Sequence, residues 1–366
     1  MATTIDAPSA GAPPADAGRP ARRRAPGGGL GRYILVRALL IIPTVFILVT
    51  MVFFVMRTTG DPITAALGGR LPPDQLAERI HEAGYDRPLP VQYLEFLGDI
   101  ARGDFGRTIS DNRLVTEVLT THGTATLELV VYALVVAFVV GIPLGLVAGY
   151  FRDRGQDAAL RVLAILFYAT PVFFAGIVSK LVFSVWLGWL PVSGRASSRP
   201  QIALQTLDDP TGIYFIDALR TGDPAVLADV LEHAIQPALV LGLLTAGVFL
   251  RLVRTNIIGT LGADYVTSAR SRGVGELRLV SRHALRPALI PIVTVMGMQI
   301  AMMLGGAVLT ETTFEWRGLG FMLAEYLSAR DFVAVQGIVA LLAVIVAITN
   351  FVVDIVAALI DPRVRY

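Results

Sequence analysis

Residues 125–150 read ATLELVVYALVVAFVVGIPLGLVAGY, a stretch in which Glu128 is the only charged side chain. A bilayer core about 30 Å thick is crossed by about 20 apolar residues in a helix. Backbone groups in lipid are satisfied only in helices or closed barrels, and a barrel strand alternates apolar with polar residues. This run is continuous, so it reads as a membrane-crossing helix. Working outward, comparable runs occur at 33–56, 160–187, 234–258, 285–309 and 332–360. The chain of 366 residues is 54% hydrophobic and 16% charged, with a mean hydropathy of +0.64, against about 25% charged in a soluble domain. The fold class is therefore an all-α integral membrane protein with six spans, and an even number of spans places both termini on one side.

Pro43, Pro143, Pro171, Pro237, Pro287 and Pro291 fall in or beside these spans and mark places where a helix starts or kinks. Residues 1–31 are rich in Ala, Pro, Gly and Arg and read as a disordered tail. Arg22, Arg23 and Arg24 precede the first run as in a signal peptide. Residues 33–56 are too long for a signal core and have no small-residue cleavage site behind them, so a retained first span is expected. No internal repeat of fixed period is present.

Basic residues collect on the cytoplasmic side of membrane proteins. Arg32 and Arg37, then Arg152, Arg154 and Arg161, then seven arginines from Arg251 to Arg286, and finally Arg363 and Arg365 fall on one side. That side is expected to be cytoplasmic, with both termini on it, in the plasma membrane. The other side receives loops at 57–124, 188–233 and 310–331. The first loop has a helical pattern after Pro72-Pro73-Asp74, with Leu76, Ile80 and Ala83 on one face, which fits either a small cap or a plain surface loop.

Charged groups inside a span cost at least about 2.5 kcal/mol and need a reason. Glu128 suits a pairing with an outer arginine, and Asp354, one turn after Asn350, a bond to a neighbouring helix. Lys180 is expected to stretch toward outer headgroups; with Ser184 one turn on, it also has the spacing of a Ser-Lys hydrolase. Met296, Met298, Gln299, Met302 and Met303 suit either a pliable translocation pathway, chiefly Met298, Gln299 and Met302, or ordinary packing.

Several chemistries are excluded. There is no cysteine, and the one lysine follows Ser179, so a phosphate-binding Gly-Lys-Ser/Thr loop is impossible. His81, His122, His233 and His283 are scattered, with no metalloprotease spacing, so no catalytic or metal-ligating set is assigned. The net charge of +2 gives no reason to expect nucleic acid.

The most specific stretch is the cytoplasmic segment 259–286. Asp264 charges or caps a helix start, Tyr265, Val266 and Ala269 share a face, Arg270 and Arg272 lie near the helix end, and Gly273 supplies a left-handed residue. A second short helix after Gly275 would place Leu277, Val280 and Ala284 on one stripe. Helices this short need a partner surface; a groove on another protein and an anionic lipid surface both satisfy that need.

Asp264-Tyr265-Val266-Thr267-Ser268-Ala269-Arg270-Ser271-Arg272-Gly273 with His283-Ala284-Leu285-Arg286-Pro287 resembles the cytoplasmic coupling motif of ATP-binding-cassette importer permeases of the dipeptide and oligopeptide family. Further landmarks are Gly60-Asp61-Pro62, Gly103-Asp104-Phe105-Gly106, Thr126-Leu127-Glu128-Leu129, Pro191-Val192-Ser193-Gly194, Thr310-Glu311-Thr312, Gly318-Leu319-Gly320, Val335-Gln336-Gly337 and Asp361-Pro362-Arg363. The general motif begins Glu-Ala-Ala where this chain has Thr267, Ser268 and Ala269, so no role of that glutamate carries over. The resemblance, over residues 32–365, implies the type I importer permease fold for a domain at 32–366 and coupling helices seated in a separate ATPase. Tyr265, Val266 and Ala269 would pack in its groove, with Arg270 and Arg272 on the rim. It further implies a second, homologous permease, two ATP-binding subunits carrying ATP and magnesium, an extracytoplasmic substrate-binding protein and a peptide substrate. No cofactor is expected on this chain. Nickel, glutathione or haem as cargo in the same family, an intramembrane hydrolase, and a gradient-driven transporter using Glu128 or Asp354 are the competing readings.

Overall fold

The computed structural model describes residues 30–58 and 60–360. The expected tail lies outside the described residues up to position 29, as do Arg363 and Arg365, while Leu30 and Gly31 already begin the first helix. In chain order the helices are α1 (Leu30–Arg57), α2 (Pro62–Leu67), α3 (Pro73–Glu82), α4 (Leu89–Arg102), α5 (Val115–Tyr150), α6 (Gly155–Ala169), α7 (Val172–Ser179), α8 (Ser198–Gln205), α9 (Tyr214–Thr221), α10 (Pro224–Leu261), α11 (Asp264–Ser271), α12 (Glu276–Arg278), α13 (Leu285–Phe314), α14 (Leu319–Ser328) and α15 (Phe332–Ile360). Wide π-type turns continue α7 over Lys180–Trp186 and join α12 to α13 over Leu279–Ala284. One isolated antiparallel bridge links Arg107 to Leu114.

Helices α5 and α10 form the centre. They have 36 and 38 residues, about 55 Å each at 1.5 Å per residue, so both project well beyond the hydrocarbon core. Gly141, Gly145 and Gly149 recur every fourth residue on α5 and bring the two backbones together, as small residues do between membrane helices. A Cβ on Gly145 would stand 2.6 Å from Val253 Cβ and 2.8 Å from the Leu250 carbonyl oxygen. From the other side, a Cβ on Gly242 of α10 would stand 2.6 Å from the Ala133 oxygen. The most apolar stretch of α10 is 61% buried, that of α1 only 11%; α1 therefore lies at the periphery, packed on α15 and tied to it by Arg37–Asp354 at 3.1 Å.

One expectation is corrected. The span expected at 160–187 is not one rod: α6 and α7 meet at 102°. Pro171 has no N–H to continue the ladder and its ring excludes the helical conformation before it, so Thr170 takes φ −76°, ψ 125°. Among the described residues, five helices long and apolar enough to cross a membrane are thus joined by one bent pair. The stretches between spans at 57–124 and 188–233 are largely helical, and the helical pattern after Pro72-Pro73-Asp74 is α3. They hold α2 to α4 and the first turns of α5, then α8, α9 and the first turns of α10.

Candidate functional site

The elbow between α10 and α13 is built from its own small core. Ala263 rather than Asp264 occupies the cap position of α11, without a side-chain bond; Asp264 is left in the first turn, where its charge favours the helix N-terminus. Gly273 takes φ +81°, its N–H bonds the Arg270 oxygen at 3.0 Å and the Val274 N–H bonds the Ala269 oxygen at 3.3 Å. This left-handed stop reverses the chain and folds Leu279 onto Val266 and Ala269, all three buried.

Val266 and Ala269 were expected to face a partner's groove. That expectation is corrected, because their surface is consumed in holding α11 to the following turn. The expected stripe Leu277, Val280, Ala284 also splits: the π-type turn changes the angular spacing, so Val280 and Ala284 point inward while Leu277 is 84% exposed. Tyr265 is 47% exposed. The elbow thus presents Tyr265 and Leu277 outward, beside a shallow groove lined by Arg272, Gly273, Arg278 and Arg282.

Arg270 donates from Nε and Nη2 to the two oxygens of Glu276 at 2.6 and 3.1 Å, clamping α11 to α12. The guanidinium beside Glu276 holds that carboxyl below the usual carboxylate range, and the carboxylate in turn raises Arg270. The pair is solvent-exposed, so its contribution to stability is small and its main effect is to fix the angle of the elbow.

Two ties that sequence reasoning missed connect this elbow to the bundle. Arg254, near the end of α10, bonds both oxygens of the buried Asp157 on α6 at 2.5 and 2.8 Å, and Asp157 also accepts the Asp153 N–H at 3.0 Å. Asp157 carries no local motif; an acid in the first turn of a helix is a common dipole partner, and its arginine lies about 100 residues away. The second tie is the wide turn Leu279–Ala284, whose buried Ala284 joins the core cluster of Phe249, Val253 and Ile257 on α10.

At the opposite end of the bundle the buried carboxylates all serve as anchors. Glu128 takes Arg195 at 2.5 Å, the Tyr132 hydroxyl at 2.9 Å and the Phe215 N–H at 2.8 Å; the expected arginine partner is there, and it pins α9 over α5. Arg195 also lies 3.7 Å from the Tyr214 ring centre. Glu311 accepts from Thr126 Oγ1 at 2.7 Å and the Phe321 N–H at 2.9 Å, while Thr126 takes the Leu319 N–H at 2.7 Å. Together they satisfy the open amides at the start of α14. Asp331 accepts three bonds from Ile109 and Ser110, at 2.6, 2.8 and 2.9 Å, and so fastens the stretch before α5 to the start of α15. Glu311 and Asp331 have no sequence signal beyond their place in the landmarks and loops quoted above.

The remaining candidates sort by position. Lys180 Nζ donates to the Thr313 oxygen at 2.9 Å, one residue before the end of α13, and so secures the bent pair to that helix. Ser184 donates to the Pro191 oxygen at 3.0 Å and accepts from Gln236 at 2.6 Å, so the lysine and the serine are each committed elsewhere and form no nucleophile–base bond. Met298 and Met302 are exposed on one face of α13 with Leu309, whereas Gln299 and Met303 turn into the bundle; Gln299 does not share the methionine face. Among the described residues no group of three acidic or histidine side chains is placed to hold a metal ion.

Residues 141–366 match the family described as binding-protein-dependent transport system inner membrane component, and residues 30–113 match the N-terminal membrane component of such systems. The chain is 38% identical over 336 residues to the di/tripeptide transport system permease protein DppB of Pseudomonas aeruginosa, covering 91% of this chain and 98% of that protein. It is 36% identical over 337 residues to the dipeptide transport system permease protein DppB of Escherichia coli K12, covering 92% and 99%. It is 33% identical over 335 residues to the glutathione transport system permease protein GsiC of Salmonella typhi, covering 91% and 99%. The chain therefore belongs to the binding-protein-dependent transport system inner membrane component family, the membrane-spanning permeases of ATP-binding-cassette importers, and it is a translocation subunit whose ATPase is a separate chain.

Proposed function

We propose that this chain forms half of the translocation pathway of an ATP-driven importer for di- and oligopeptides, with both termini in the cytoplasm. The observation that carries the cargo assignment is the end-to-end similarity to permeases named for di- and tripeptides. In this reading a second, homologous permease completes the pathway, two ATP-binding subunits with ATP and magnesium supply the energy, and an extracytoplasmic binding protein delivers the peptide.

The elbow is the coupling element. Tyr265 and Leu277 seat in a groove of the ATPase, Arg272 and Arg278 line its rim, and the Arg270–Glu276 clamp keeps the two short helices at one angle. Movement of the ATPase passes through the buried Val266–Ala269–Leu279 core into α10 and α13. The glycine contacts between α5 and α10 favour their moving as one body, because close-packed backbones slide little without clashing. The exposed face of Met298 and Met302 lines the pathway, where flexible thioether side chains tolerate varied peptides.

Removing the gene from its host and measuring uptake of a labelled dipeptide, a longer peptide, glutathione and nickel, with and without ATP depletion, tests this function. Loss of ATP-dependent dipeptide uptake supports it. Loss confined to glutathione, the cargo in one relative's name, moves the chain to that branch, and loss confined to nickel moves it to a metal-importing one.

A further inference from the structure

Helix α4 carries two incompatible faces. With 3.6 residues per turn, Pro90, Val91, Leu94, Leu97, Gly98 and Ala101 fall within one arc of the helix, and all six are apolar. Leu94 is 68% exposed and Val91 41%, so the chain itself leaves most of this arc uncovered. One flank is charged: Glu95 pairs with Arg87 and Asp99 with Arg102, each at 2.5 Å. The other flank packs on the first span. The Tyr93 ring lies 5.3 and 5.4 Å from the rings of Phe53 and Phe54, and the Phe96 ring lies 5.1 Å from that of Phe53.

The depth of this packing identifies what covers the arc. The Tyr93 hydroxyl meets Thr50 Oγ1 at 2.7 Å. Thr50 lies seven residues before Arg57, the last residue of α1, hence about 10 Å down the helix axis from it. Arg57 stands over the rings of Tyr85 and Phe53, an arrangement suited to the boundary between headgroups and hydrocarbon, where arginines and aromatic rings anchor spans. Phe54 and Val55 beside Tyr93 are themselves exposed, as are most apolar side chains of the peripheral α1. The bare arc of α4 is therefore continuous with the exposed apolar surface of a membrane span and lies within the same turns of it.

We propose that α4 is an interfacial helix lying in the outer leaflet, its apolar arc in the acyl region and its Glu95–Asp99–Arg102 flank at the headgroups. Helices with this division of faces lie in the plane of the membrane surface. The partner is lipid, not the binding protein or the second permease.

This chain has no cysteine, so a single-cysteine variant labels it at one position, and the transporter without the added cysteine gives the background to subtract. L94C, V91C and, on α3, D74C are labelled with an environment-sensitive fluorophore in the complete transporter and reconstituted into phosphatidylcholine–phosphatidylglycerol vesicles. Quenching by lipid carrying a doxyl group at carbon 5 should be about threefold stronger at positions 94 and 91 than at 74, and quenching by aqueous iodide should show the reverse order. Iodide-accessible, lipid-insensitive labels at 94 and 91 would overturn the proposal. So would lipid quenching seen with the isolated chain but lost in the complete transporter, because a protein partner would then cover the arc.

Discussion

Arg254 on α10 grips Asp157 on α6 with Nε at 2.5 Å and Nη2 at 2.8 Å, and the carboxylate it holds is wholly buried. This pair joins the C-terminal end of α10 to the first half of the bent span. Replacing Arg254 by alanine leaves the charge of Asp157 with only Arg161, 3.8 Å away, as a substitute. The expected loss is about 3 kcal/mol, the low end for breaking a buried pair because Arg161 remains, read as a lower thermal midpoint of the detergent-solubilised protein.

Gly145 tests the contact between α5 and α10. Gly145→Leu places a side chain against the Leu250 carbonyl oxygen, which is backbone and cannot yield. Overpacking costs about 1–3 kcal/mol where side chains can adjust, so a loss at or above the upper end is expected, seen as aggregation during size-exclusion chromatography. Gly155→Ala is the control: nothing lies within 4 Å of its added Cβ, and the variant should behave as the parent.

Glu128→Gln removes the charge that holds Arg195 while keeping the shape. Arg195 then keeps the Gly212 carbonyl at 3.0 Å but loses its carboxylate. Hydrogen–deuterium exchange over residues 212–221 should rise by at least about tenfold, the equivalent of about 1.4 kcal/mol, with exchange in α13 unchanged. Equal exchange in both proteins would show that the aromatic contacts alone hold α9.

Gly273→Val forces a β-branched residue into a left-handed conformation. No atom lies near the added Cβ, so the cost is backbone strain, about 1–2 kcal/mol, and the elbow reopens. The variant should lose co-purification with its ATPase or lose ATP-dependent uptake while the transmembrane bundle stays folded. Tyr265→Ala and Leu277→Asp should do the same without strain. Unchanged co-purification and transport in all three would remove the coupling assignment.

The Arg270–Glu276 clamp has a pH signature. Glu276 is held below its ordinary value of 4.5 when the elbow is folded. Its contribution is therefore fully present above that value and is lost as pH falls through the depressed folded value. Exchange protection of residues 264–278 should stay flat from neutral pH down to about 5 and fall only in stronger acid. In Glu276→Gln that acid-dependent step should be absent.

Apolar runs of helical length, a single lysine that cannot serve a phosphate loop, and the ordered landmarks from Gly60 to Arg363 determined the solvent, the fold class and the family by themselves, because each is a property of residues close in the chain. Span 160–187 shows where local reading fails: Pro171 announces a possible break, but whether a proline kinks, starts or bends a helix by 102° depends on what neighbouring helices offer the freed backbone. Val266 and Ala269 show the same at the elbow, since helical spacing identifies an apolar face without saying whether the chain or a partner covers it. Arg254 and Asp157, Glu128 and Arg195, and Asp331 with Ser110 were separated by 97, 67 and 221 positions. Only the tertiary structure decided these pairings, because the cost of burying a charge is met by whichever opposite group folding brings within hydrogen-bond distance, and that choice leaves no periodicity in the sequence.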